Sequence, residues 1–100
     1  MLTVKSISGK TIRLPNKRWL HIVEGHPELG GHLNDVLFTI SSPDFVFEAN
    51  SDELLAAIFE HKEKFLVVVY KEEKSDGFII TAFFTTKIEK LLKRKILWQK

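Results

Sequence analysis

The spacing of apolar residues changes near Asp44: before it they recur at helical intervals, and after it they form short β-branched or aromatic runs. At the N-terminus, "TVKSISGKTIRLP" sets Val4, Ser6 and Ser8 against Lys5 and Ile7 and reverses at Ser8-Gly9-Lys10. Glycine supplies positive φ there, which predicts a short hairpin. Pro15-Asn16 closes it, with Asn16 in position to cap a helix. Trp19, Ile22 and Val23, at i, i+3 and i+4, predict a helix from Lys17 to about Gly25. Pro27 stops it by pushing His26 out of helical geometry. Leu29, Leu33, Val36, Leu37 and Ile40 predict a second helix from about Gly31 to Ser41, ended by Ser41-Ser42-Pro43-Asp44.

Four runs follow: "FVFEA" (45–49), "LLAAIFEH" (54–61), "FLVVVY" (65–70) and "FIITAFFTT" (78–86). Their connectors, "NSDE", "KEK" and "KEEKSDG", have turn composition and are too brief for anything but antiparallel neighbours. The last two runs are apolar on both alternating faces, so they belong at the centre of the sheet. Ile88, Leu91, Leu92 and Lys95 predict a C-terminal amphipathic helix, with "ILW" as an apolar tail that must dock. The expected fold is α+β. An N-terminal hairpin and two short helices pack on one face of a four-stranded antiparallel sheet, followed by that C-terminal helix.

Composition narrows the options. One hundred residues suit a single domain over 1–100, and 44% apolar content with eight phenylalanines suits a packed core. The absence of cysteine excludes disulfides, thiol nucleophiles and cysteine-zinc sites. The longest apolar runs are too short to cross a bilayer, and polar residues stand where a signal peptide would need an apolar block. A cytoplasmic location and no membrane partner are therefore expected. The net charge of +2 is unevenly spread: residues 87–100 carry Lys87, Lys90, Lys93, Arg94, Lys95 and Lys100 against Glu89 alone. That basic end either attracts phosphate backbones or is a solvated helix face.

The chemistry concentrates in "WLHIVEGHPEL", Trp19 to Leu29. On a helical wheel His21 falls about 200° from Trp19, opposite the apolar stripe, where it either pairs with Glu24 at the surface or faces a cleft. His26 sits where the helix ends, either capping the last carbonyls or free for catalysis. Glu28 is either a first-turn acid of the next helix or a partner of the site. His21, His26 and Glu28 do not have the spacing of H-E-x-x-H, so no metal or cofactor is expected. His32 and His61 show no local partner pattern. As an acid/base system the residues are coherent. Imidazoles titrate near neutrality, and cleaving RNA through its own 2′-hydroxyl needs a base, an acid and cations on the phosphorane. Lys71, Lys87 and the basic end can supply the cations.

Several stretches also carry a resemblance. The helix motif "W-x-H-I-x-x-x-H-P-E" (Trp19, His21, Ile22, His26, Pro27, Glu28) is followed by "S-P-D" (Ser42, Pro43, Asp44) and then by "VVVY" (67–70) and "IITAFFT" (79–85). In that order, over residues 15–90, they resemble small phage and bacterial nuclease domains of the barnase–EndoU–colicin–RelE-like fold. The resemblance implies metal-independent RNA cleavage on an exposed sheet face, often in a toxin restrained by an antitoxin protein. It implies catalytic roles for His21, His26 and Thr81, and substrate contacts from Glu28, Tyr70, Lys71 and Lys87. The expected function is thus a toxin-like endoribonuclease. The alternative is a non-catalytic RNA- or protein-binding module using the same face, where Phe78, Phe83 and Phe84 either stack on bases or belong to the core.

Overall fold

The computed structural model describes residues 1–60 and 63–100. Helix α1 (Asn16–Gly25) begins at Asn16 itself, and Pro15, not Asn16, occupies the cap position. The Pro15 carbonyl accepts from the Trp19 amide at 3.1 Å. At the far end the His26 amide donates to the Ile22 carbonyl at 2.8 Å. Pro27 then opens a single 3-10 turn, Pro27–Leu29, that buries Leu29. Helix α2 (Leu33–Ser41) follows and buries Val36, Thr39 and Ile40. Thr39 is tolerated inside because its hydroxyl donates to the Asp35 carbonyl at 2.7 Å.

The sheet corrects the sequence expectation. Strands β3 (Phe45–Glu48), β4 (Glu53–Phe59), β5 (Phe65–Glu72) and β6 (Asp76–Thr85) are consecutive antiparallel neighbours, but they form only the middle of the sheet. Among the described residues the sheet is seven-stranded and mixed, in the order β1-β2-β6-β5-β4-β3-β7. The residue His61, which the sequence reading placed at the end of the second run, lies outside the described residues.

Two segments account for the additional strands. The N-terminal hairpin, β1 (Leu2–Lys5) and β2 (Thr11–Leu14), joins the sheet by laying β2 parallel to β6, with Ile12 opposite Gly77. Ile12 and Leu14 are fully buried, so the hairpin cannot stand apart from the core. Polar contacts hold its turn in place. The hydroxyls of Ser6 and Ser8 donate to the Glu72 carboxylate, Lys10 Nζ donates to the Glu73 carbonyl at 2.7 Å, and Arg13 lies 3.5 Å from Asp76. At the other end, helix α3 (Ile88–Leu92) stops short of Lys95, and "ILW" is extended. Strand β7 (Ile96–Gln99) pairs antiparallel with β3, where the Glu48 amide donates to the Lys95 carbonyl at 2.9 Å.

Val67, Val68 and Val69 of β5 are all buried, so both faces of the sheet are covered. One core lies under α1 and α2 and includes Ile22, Leu29, Val36, Ile40, Leu66, Val68, Tyr70 and Ala82. The second, on the opposite face, joins Phe47, Leu55, Ala57, Val67 and Val69 to Leu91 of α3. Among the described residues no helix is long and apolar enough to cross a membrane.

Two consequences are measurable. A Cβ at Gly77 would lie 2.2 Å from the Lys71 carbonyl oxygen and 2.9 Å from the Ile12 side chain. Gly77→Ala should therefore cost about 3 kcal/mol in urea unfolding, by forcing β2 and β5 away from β6. Burial, reinforced by the nearby Glu72 charge, raises the Tyr70 phenol above its ordinary range. The unfolded phenol loses its proton near pH 10 while the native one keeps it. The stabilisation is thus complete below about pH 10 and drains away as pH climbs toward the native value. Tyr70→Phe should flatten that alkaline loss in denaturation measured as a function of pH.

Candidate functional site

Strand alternation decides what the α3-side face presents. Glu53 and Leu55 of β4, Val69 and Lys71 of β5, and Thr81, Phe83 and Thr85 of β6 share it. Leu55 stands opposite Val69, which stands opposite Thr81 on its other side; Val67 stands opposite Phe83. A register shift at this point leaves Ile80 as an extra residue in β6. Ile80 packs in the same apolar cluster as Phe83.

Helix α3 covers this face only in part. Between it and the sheet lies a groove of about 380 Å³ with Leu55, Val69, Phe83 and Leu91 as apolar lining. Its polar lining is Lys87, Lys90 and Arg94, together with Asn50, Glu53 and Thr85. Three cations thus face one carboxylate around an aromatic floor. Such a groove favours an anionic ligand that also has a flat apolar surface.

Among the described residues, His26 brings an imidazole to Phe83 of this face. Strand β2 pairs with β6 only as far as Phe78, so the rest of β6 has no strand on that side among the described residues. Helix α1 lies against β6, and Pro27 turns the chain just after it. The His26 ring lies 6.3 Å, centroid to centroid, from the Phe83 ring that floors the groove. Its Nδ1 is 3.7 Å from Glu28 Oε2, an ion-pair distance rather than a hydrogen bond. Both side chains remain partly open to solvent. A carboxylate so placed can orient the imidazole.

The other predicted residues divide. Thr81 lies on the groove face, in the strand that carries Phe83; Lys71 shares that face, and Lys87 is on the groove wall. His21 does not join His26. It lines a shallow surface depression with Lys17 and Arg18, because five helical residues separate the two by about 140° of rotation. Tyr70 is 1% exposed within the helix-side core, where alternation sends it, and so is not on the groove face. Arg13 is engaged with Asp76 and the Gly77 carbonyl. His32 has an unforeseen partner: its Nδ1 is 2.9 Å from Asp35 Oδ2, with the ring edge-on to Phe84 at the start of α2. Among the described residues no three histidine, aspartate or glutamate side chains converge as metal ligands would.

Sequence reasoning passed over Asn50, Glu53 and Thr85, and saw Lys90 and Arg94 only as part of a basic tail. A usable signal existed for the cations, since 87, 90 and 94 follow the i, i+3, i+7 spacing of one helical face. Nothing local marked Asn50 or Glu53. In comparisons with known proteins, no family model, curated protein or solved structure matches the chain.

Proposed function

We propose that the groove binds single-stranded RNA and that His26, with Glu28 beside it, is an acid/base group for its cleavage, so that the chain acts as an endoribonuclease. The observation that carries this reading is the position of an imidazole–carboxylate pair against Phe83, the aromatic floor of a groove walled by Lys87, Lys90 and Arg94. A base stacked on Phe83 leaves its phosphates near those cations. His26 takes the proton of the 2′-hydroxyl, the 2′-oxygen bonds to phosphorus, and the bond to the 5′-oxygen breaks. That oxygen leaves with a proton from water, and the upstream fragment ends in a 2′,3′-cyclic phosphate. The cations offset the charge that builds on the phosphorane, and the Thr81 hydroxyl is a further hydrogen-bond donor on this face. No step requires a metal.

The test is incubation of the folded protein with unstructured RNA in EDTA, followed by end-group analysis for the cyclic phosphate. His26→Ala should slow cleavage at least about 100-fold without loss of RNA retention. His21→Ala, in its separate depression, should reduce cleavage far less. RNA held but never cut by the wild-type protein would favour the binding-module reading.

Binding has its own signature. Lys90→Ala with Arg94→Ala removes two groove cations. The slope of log affinity against log salt for an oligonucleotide should fall by about 1.4, a measurement independent of turnover. An unchanged slope would place the phosphates elsewhere.

A further inference from the structure

Strand β7 is an edge of the sheet, and no strand covers its outer side among the described residues. Edges of this kind are templates for another strand unless something blocks them. The hydrogen bonds to β3 show which backbone groups remain. The Lys100 amide donates to the Asp44 carbonyl at 2.9 Å, and Trp98 stands opposite Val46. The register shifts between Val46 and Phe47, which breaks the alternation at Leu97, so the amides and carbonyls that point away from the sheet are those of Ile96 and Gln99. The side chains are open as well: Ile96, Leu97 and Trp98 are 41%, 46% and 37% exposed, an uninterrupted apolar triplet. Lys93, Arg94 and Lys95 precede the strand and Lys100 follows it, all four exposed.

We infer that β7 is a docking edge for an acidic, extended segment of another protein, which joins the sheet as an eighth strand. Its backbone pairs with Ile96 and Gln99, its apolar side chains cover the exposed triplet, and its carboxylates meet the flanking cations. Charge argues against the simplest competitor, a second copy of this chain. Antiparallel β7–β7 pairing would bring Lys93, Arg94 and Lys95 of each copy against Lys100 of the other. The same cations reward an acidic strand. This inference does not rest on the proposed RNA cleavage.

The experiment is an NMR titration of the full chain, labelled with ¹⁵N, against two end-blocked peptides. One alternates glutamate with valine, and the other alternates lysine with valine. The acidic peptide should shift the Ile96 and Gln99 amides and slow their hydrogen exchange, and it should bind at least about tenfold tighter than the basic one. Gln99→Pro removes an outward amide while leaving the β3 ladder intact, and should weaken binding about fivefold; Gln99→Ala should not. Lys95→Glu with Lys100→Glu should reduce the preference for the acidic peptide. No shift at β7, equal response to both peptides, or full affinity in Gln99→Pro would overturn the inference. So would self-association of the chain alone that Gln99→Pro abolishes, since the edge would then belong to a second copy. An oligouridylate RNA that perturbs Ile96 and Gln99 when the acidic peptide does not would assign the edge to nucleic acid and likewise overturn it.

Discussion

Val67, Val68 and Val69 are buried on both faces of β5, and that double burial governs what else the chain must do. A strand apolar on both sides needs two covers. The first is complete: α1, the Pro27 turn and α2 put Ile22, Leu29, Val36 and Ile40 against one face. The second is thin, because α3 has only five residues and buries only Leu91. The face beneath it is therefore part core and part open floor. The groove is the space that so short a helix leaves over a sheet this wide.

A mismatch of strand lengths positions the imidazole. Strand β6 spans ten residues, whereas β2 has four and pairs with only the first part of it. Past Phe78 the edge of β6 has no strand beside it among the described residues, and the His26 ring approaches it at Phe83. Pro27 stops α1 there, so His26 emerges beside the strand rather than one turn further along the helix. Gly77 makes the arrangement possible. With a side chain at that position β2 could not sit close to β6, and the hairpin would lose its register.

Those length and register effects separate what the sequence disclosed from what it concealed. The strands β3 to β6 were legible because each neighbour is one short turn away and the apolar runs are strong. The hairpin was legible as a hairpin but not as part of the sheet. Its pairing with β6 is parallel and joins residues more than sixty positions apart, and only Ile12 and Leu14 announce it. "ILW" was legible only as an apolar tail that must dock, because strand β7 is chosen by β3, which no local pattern reports. The site follows the same division. Lys87 and Thr81 were nameable from the basic end and from a polar residue in an apolar strand. The separation of His21 from His26 follows from helical rotation and was open to prediction. The contact of His26 with Phe83 was not, since it depends on how far β2 extends along β6.

The basic C-terminal stretch, which looks uniform in sequence, is divided by the fold between two surfaces. Lys87, Lys90 and Arg94 line the groove, whereas Lys93, Lys95 and Lys100 flank β7 without lining it. The division arises because a helical turn and then a strand present successive cations in different directions. The two surfaces remain electrically close, for Lys93, Arg94 and Lys95 are consecutive and physiological salt screens charge only over about 8 Å. Carboxylates brought to β7 would lower the positive potential at the Arg94 end of the groove. The groove would be answerable to whatever occupies the sheet edge, and electrostatics alone would suffice to connect them, with no movement of the backbone.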